Sequence, residues 1–111
     1  MITFDSIHET YVTFNADEGL EAGSVCKITG DSAVGACADG EEFCGVARQV
    51  RGGLAGVVLG GFCRLAYSGT APTCGKVCLC ADKNGGVKVG GDKEFLVVQV
   101  DKSEQTIGVF L

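Results

Sequence analysis

The chain has 111 residues and a formal net charge of −5, which limits both its size and its partners. A chain of this length holds one domain, because two separate cores would each be too small. Hydrophobic residues make up 46% of the sequence and charged residues 21%, so the chain can bury a core and is not intrinsically disordered. The acidic excess has the wrong sign for binding a phosphate backbone. We therefore expect one folded domain, residues 1–111, that does not bind nucleic acid.

Short apolar segments separated by turn residues run through the chain and predict β-strands. Pairs such as Gly52–Gly53 and Gly60–Gly61 supply the positive φ angles that tight turns require. No segment keeps a hydrophobic period of 3.6 residues, so we expect little or no helix. The expected fold class is all-β, a small β-barrel or sandwich. In chain order the predicted strands are residues 10–14, 25–28, 43–47, 54–59, 62–67, 76–80, 95–100 and 106–111.

An internal repeat is predicted between residues 23–59 and residues 75–111. A shift of 52 residues aligns nine identical residues without a gap, and these fall on predicted strands and their turns. The alternative explanation is chance, because Gly and Val are common in any β protein. A true repeat would give two units of three to four strands that close on each other into a barrel. Phe43 and Phe95 would then occupy equivalent core positions, as would Val46 and Val98.

Residues 1–14 precede the repeat and are too apolar for a free tail. We expect an N-terminal arm or edge strands that pack on the barrel or on a neighbouring subunit. Their deletion should then shift an oligomer toward the monomer or weaken its attachment to a larger assembly. The first residues lack the basic and apolar regions of a signal peptide, and no uncharged stretch is long enough to cross a membrane. We therefore expect a protein made in the cytoplasm, not secreted, with no membrane partner.

Seven cysteines raise the alternatives of a metal site, a disulfide framework or buried thiols. The densest group is Cys74, Cys78 and Cys80, but the Cys-x2-Cys spacing typical of zinc sites does not occur in the sequence. The number is odd, and most of the cysteines stand beside apolar residues. The pattern favours mostly buried, reduced cysteines with no bound metal, and redox or disulfide use is the remaining alternative.

The sequence offers few candidates for catalysis. His8 is the only histidine, so a Ser-His-Asp or Cys-His arrangement would require it, and its polar surroundings are typical of a solvated side chain. The adjacent carboxylates Glu41–Glu42 and Asp17–Glu18 would face opposite ways on a strand or stay solvated in a turn. The glycine-rich segment 52–61 lacks the Gly-Lys-Ser/Thr ending of a phosphate-binding loop. We expect no enzyme, and no catalytic, cofactor-binding or metal-binding residues.

A set of glycine and valine motifs covers residues 20–111. The motifs are Gly23-Ser24-Val25-Cys26-Lys27-Ile28, Gly45-Val46-Ala47, Gly61-Phe62-Cys63-Arg64-Leu65-Ala66-Tyr67, Gly75-Lys76-Val77 and Thr106-Ile107-Gly108-Val109. In this order they resemble small capsid decoration proteins of tailed phages and prophages, the DUF2190-like proteins of bacteriophage heads. The cysteines are not part of the resemblance. It implies a β-barrel that sits on, or cements, an assembled capsid lattice as a symmetric oligomer and carries no catalytic residues.

These observations lead to two expected functions. The first is a non-enzymatic structural protein that binds or decorates a phage or prophage capsid as a homo-oligomer. Its partners would be further copies of itself, for example in a trimer, and the major capsid protein, and its location would be the capsid surface of the virion. The alternative is a stand-alone oligomeric β-barrel that binds a small ligand or another bacterial protein.

Overall fold

The computed structural model describes residues 10–111, which form nine β-strands in two sheets. No helix occurs among the described residues, and none of them lies in a helix long and apolar enough to cross a membrane. The expected all-β fold class is confirmed. The strands are β1 (Thr10–Ala16), β2 (Val25–Gly30), β3 (Ala33–Ala36), β4 (Gly45–Arg51), β5 (Leu54–Gly60), β6 (Phe62–Ala66), β7 (Gly75–Ala81), β8 (Val87–Asp101) and β9 (Thr106–Phe110).

The first five strands form a closed barrel with the order β1-β3-β2-β4-β5. β1 runs parallel to β3 and antiparallel to β5, so it closes the barrel and is paired on both sides. The interior is filled mainly by small side chains, as a narrow barrel requires. The buried residues of this core are Leu20, Cys26, Val34, Ala47, Ala55 and Val57.

The last four strands form an open antiparallel sheet with the order β6-β9-β8-β7. One face of this sheet packs against the outside of the barrel. The shared core joins Val25, Val46 and Val58 of the barrel strands to residues of the second sheet, among them Leu65, Leu79, Val97, Ile107 and Val109. The opposite face of the sheet is turned away from the barrel.

The connection between β3 and β4 links the barrel to the second sheet. Within it, the Gly40 amide donates to the Ala81 carbonyl and the Ala81 amide donates to the Glu41 carbonyl, each at 2.8 Å. Phe43 stacks on Phe95 of β8, with ring centroids 5.0 Å apart and an interplanar angle of 7°. Backbone and aromatic contacts at this connection therefore fix the sheet against the barrel.

The barrel closes differently from the expectation. We expected two repeated units to close on each other, but β1 to β5 close by themselves and β6 to β9 remain an open sheet. The physical reason is β1, whose backbone supplies the pairing partner that β5 and β3 both need.

The β4–β5 and β8–β9 hairpins share their register. Ala47 pairs with Val57 in the first, Val97 pairs with Val109 in the second, and each hairpin has a bulge at the following residue. The turn has two residues in the β4–β5 hairpin and four in the β8–β9 hairpin. Equivalent residues are therefore 50 positions apart in β4 and β8 and 52 positions apart in β5 and β9.

This offset changes one expected equivalence. The counterpart of Ala47 is Val97, so the expected equivalence of Val46 and Val98 is wrong: Val46 is buried, whereas Val98 is half-buried at the bulge. Phe43 and Phe95 are both buried, although Phe43 lies outside the strands. The repeat of 23–59 in 75–111 stays a prediction.

The expected N-terminal arm falls partly on the described residues. Residues 10–14 lie in β1 and pair with β5, whereas the pairing of β1 with β3 is made by Asn15 and Ala16. Residues 1–9 lie outside the described residues. A deletion that tests the arm must consequently stop before Thr10, because residues 10–14 supply most of the pairing of β1 with β5.

Candidate functional site

The face of the second sheet that is turned away from the barrel is the candidate site, and we call it the outer face. Cys63, Leu65, Ile107 and Val109 point toward the barrel, so their neighbours along β6 and β9 point outward. The strand register arranges the outward residues in three rows. The first row contains Phe62, Phe110, Leu96 and Lys76, the second contains Arg64, Gly108 and Gln99, and the third contains Ala66, Thr106 and Asp101.

The first row makes one end of the outer face apolar. The Phe62 and Phe110 rings meet edge to face with centroids 5.6 Å apart. The Arg64 guanidinium lies 5.9 Å from the centroid of the Phe62 ring, within the range of a cation–π contact. Leu96 completes the row and is 45% exposed. Phe62 is 6% exposed and Phe110 is half-buried, so the row presents mainly the Leu96 side chain, with the aromatic pair beneath the surface beside the Arg64 charge.

Gly108 is among the residues that line an open groove of about 820 Å³ on the outer face. A Cβ atom at this position would lie 2.7 Å from Cζ of Phe62 and 3.2 Å from Oε1 of Gln99. The missing side chain is thus what allows Phe62 and Gln99 to lie across β9. The polar side chains that line the groove are Arg64, Gln99, Asp101, Lys102, Ser103 and Thr106.

Asp101 supplies a fixed negative charge at one end of the groove. Its Oδ1 accepts hydrogen bonds from the Glu104 amide at 3.1 Å, and from the Ser103 hydroxyl at 2.9 Å and amide at 3.1 Å. These bonds, first the Glu104 amide and then the Ser103 hydroxyl, hold the pKa of Asp101 below its ordinary value. The groove therefore combines a carboxylate with the Arg64 and Lys102 cations, an arrangement suited to polar contacts with a protein surface.

The seven cysteines all lie within the described residues and form no disulfide there. Fewer are buried than we expected. Cys26, Cys63 and Cys80 are buried, Cys37, Cys44 and Cys78 are half-buried, and Cys74 is exposed. No group of three or more His, Cys, Asp or Glu residues within residues 10–111 is placed to hold a metal ion.

The other sequence candidates take structural positions. Glu41 binds the Lys27 ammonium at 2.7 Å and accepts a bond from the Ala38 amide at 2.6 Å, and these contacts, with the Lys27 bond the larger, lower the pKa of Glu41. Gly52 and Gly53 both have positive φ angles, 59° and 78°, and make the turn between β4 and β5. Asp17 and Glu18 are exposed. His8 lies outside the described residues.

Sequence reasoning did not identify the outer-face residues as a site. The charged Arg64 between the apolar Cys63 and Leu65 was the available signal, because successive residues of a strand point to opposite faces. It did not reveal that Gln99 lies opposite Gly108, which depends on the bulge in β8. Among known proteins, no protein-family model matches the chain and no curated protein matches its sequence.

Proposed function

We propose that the chain is a non-enzymatic structural protein that binds or decorates a phage or prophage capsid as a homo-oligomer. The single observation that carries the proposal is the outer face, where the exposed Leu96 and Arg64 lie beside the half-buried Phe110 on an open sheet. Contiguous exposed surface of this mixed kind is typical of protein interaction sites. Two motifs of the decoration-protein resemblance, in residues 61–67 and 106–109, lie on β6 and β9, which pair side by side on this face.

The size of the outer face supports binding as an oligomer. Four strands of about five residues cover a plane of about 300 Å², whereas a stable interface buries about 800 Å² on each partner. One copy therefore offers a small contact area. A symmetric oligomer would present several such faces at once, and the linked contacts would strengthen attachment to a regular capsid lattice.

Leu96→Asp tests the role of the outer face. Leu96 is 45% exposed, so the variant should fold, but it places a negative charge in the apolar row and should weaken binding to capsids at least tenfold. The measurement is co-sedimentation with heads of the phage or prophage whose genome encodes the chain. Leu54→Asp is the matched control, because Leu54 is 50% exposed on β5 of the barrel. If both variants bind heads as well as the unmodified chain does, the proposal that the outer face binds the capsid is contradicted.

Deletion of residues 1–9 tests the N-terminal arm while leaving β1 intact. Thr10 pairs with Gly60, directly before the apolar end of the outer face, and the deleted segment carries Phe4 and Ile7. If these side chains bind a neighbouring subunit, the truncated chain should shift toward the monomer in size-exclusion chromatography with light scattering. An unchanged oligomeric mass together with unchanged head binding would remove the arm from the proposal.

The groove favours a second candidate, a stand-alone oligomeric β-barrel that binds a small ligand or another bacterial protein. Its volume of about 820 Å³ lies within the range of small-molecule sites. The unmodified chain separates the two candidates. Co-sedimentation with heads supports the capsid-binding protein. An oligomer that does not bind heads, and whose melting temperature is raised by a small polar ligand, supports the stand-alone β-barrel.

A further inference from the structure

Cys26 and Cys44 lie in contact where β2 meets the beginning of β4. The Cys44 amide donates to the Cys26 carbonyl at 2.8 Å, and Cys26 pairs with the next residue, Gly45. The Cys26 thiol donates to the Gly45 carbonyl oxygen at 3.6 Å, and the Cys44 side chain packs against the barrel core that contains Cys26. Two thiols that are 18 residues apart in the sequence are thus brought together by strand pairing.

The contact makes the two thiols unequal. The neighbouring Cys26 thiol lowers the pKa of Cys44 to about 7, and the Lys93 ammonium acts in the same direction. The pKa of Cys26 is raised, first by the neighbouring Cys44 and then by burial. Since the thiolate is the reactive form, Cys44 is the nucleophile of the pair near neutral pH.

The other charged groups around the pair come from three elements. Lys27 on β2 is bound to Glu41, so the charges of these two residues largely offset each other. Burial, and then the Glu41 charge, raise the pKa of Cys37 to about 11, which keeps this third thiol protonated. Lys93 of β8 is consequently the cation that favours the Cys44 thiolate.

Exposure separates the roles further. Cys44 is half-buried, whereas Cys26 is 0% exposed in the barrel core. A small oxidant can therefore reach Cys44, and the product formed there has a buried thiol as its immediate neighbour. This is the arrangement of a reacting cysteine with a resolving cysteine beside it.

We propose that Cys44 and Cys26 form a reversible oxidation site that a hydroperoxide converts to a disulfide. The Cys44 thiolate attacks one peroxide oxygen, the O–O bond breaks, and the released hydroxide takes a proton to leave as water when the oxidant is hydrogen peroxide. Cys44 is then a sulfenic acid. The Cys26 sulfur attacks the Cys44 sulfur, the S–S bond forms, the S–O bond breaks, and the hydroxide leaves as a second water with the Cys26 proton.

The electrons balance over the two steps. The two thiols lose two electrons, and hydrogen peroxide gains them to become two water molecules. A small dithiol reverses the reaction by thiol–disulfide exchange and is itself oxidised to a disulfide. The new bond would tie β2 to the segment carrying Phe43, which stacks on the second sheet. The proposal is independent of the proposed capsid function.

The first test is the pH dependence of Cys44 alkylation by iodoacetamide in the folded, unmodified chain, followed by peptide mass spectrometry. We expect a rate midpoint near pH 7, because deprotonation creates the nucleophile, and a rate at pH 7 about tenfold above that of the half-buried Cys78. Cys26→Ala removes the neighbouring thiol that lowers the pKa of Cys44 and should move the midpoint to higher pH. A midpoint above pH 8.5 in the unmodified chain would contradict the proposal.

The second test is peptide mapping without reduction after treatment with stoichiometric hydrogen peroxide. We expect the Cys26 and Cys44 peptides to appear cross-linked and to separate again with dithiothreitol. Cys44→Ser should abolish the cross-link, and Cys78→Ser, a half-buried cysteine elsewhere, should leave it unchanged. Oxidation of the exposed Cys74 while Cys26 and Cys44 stay reduced would overturn the proposal without relying on any variant.

Discussion

Replacing Phe95 with alanine is expected to lower the free energy of unfolding by about 3–5 kcal/mol. Phe95 is 6% exposed, and its ring stacks on Phe43, whose segment joins the barrel to the second sheet. The Lys93 ammonium lies 5.3 Å from the centroid of the same ring. Truncation removes these contacts and leaves a cavity between the two sheets. Urea denaturation of the purified chain at pH 7 measures the loss.

A double-mutant cycle isolates the aromatic stack itself. Phe43→Ala alone and together with Phe95→Ala should give a coupling energy of about 0.5–1.5 kcal/mol, because the second truncation removes a stack that is already lost. Leu96→Ala is the control for an adjacent residue of β8. Leu96 is 45% exposed, so its truncation should change stability by less than about 1 kcal/mol. Strictly additive losses at positions 43 and 95 would contradict a direct contact between the rings.

Asp82→Ala is expected to lower the free energy of unfolding by about 2–4 kcal/mol. Asp82 is 4% exposed, and its carboxylate accepts bonds from the Ser68 hydroxyl at 2.8 Å, the Asn84 amide at 2.8 Å and the Gly86 amide at 2.9 Å. Alanine leaves these donors without their acceptor, and the Gly86 amide is buried. The same urea denaturation measures the effect.

Asp82→Asn is the matched control because it keeps the shape and one acceptor oxygen. The asparagine oxygen can still accept from the Asn84 and Gly86 amides. The free energy of unfolding should therefore fall by only about 1 kcal/mol, which is less than half the loss expected for Asp82→Ala. Equal stability of the two variants would show that the carboxylate oxygens do not hold this turn.

Most of the strands could be predicted from the sequence because each has its own local signal. Alternating or continuous apolar residues between glycine turns were sufficient to predict eight of the nine strands. Most of the predicted strand ends lie within one or two residues of the observed ends. β3 was missed because Ala33–Ala36 contains only one large apolar side chain, Val34. Its identity as a strand depends on pairing with β2 in a tight hairpin and with the sequence-distant β1, rather than on its own apolar content.

β8 was predicted too short for a related reason. We expected residues 95–100, but the strand covers Val87–Asp101. Gly90 and Gly91 have φ angles of 148° and 79°, and the pairing with β7 passes from Val89 to Glu94 across a bulge. Glycines in such a bulge are indistinguishable from turn glycines in the sequence alone.

The outer face and the Cys26–Cys44 contact could not be predicted because both depend on register. A bulge reverses which residues of a strand face outward, and the bulge at Val98 is what places Gln99 opposite Gly108. Cys26 and Cys44 meet only through the pairing of β2 with β4. The cysteine spacing along the chain carries no sign of that pairing.

A cryo-electron-microscopy reconstruction of heads with and without the added chain tests the capsid proposal most directly. We expect extra density at symmetry-related positions on the lattice, with the sheet of β6 to β9 turning its outer face, including Leu96 and Arg64, toward the capsid protein. If heads mixed with an excess of the chain show no added density, the proposed function is contradicted. Density in which the barrel contacts the capsid and the outer face is exposed would keep capsid binding but contradict the assigned surface.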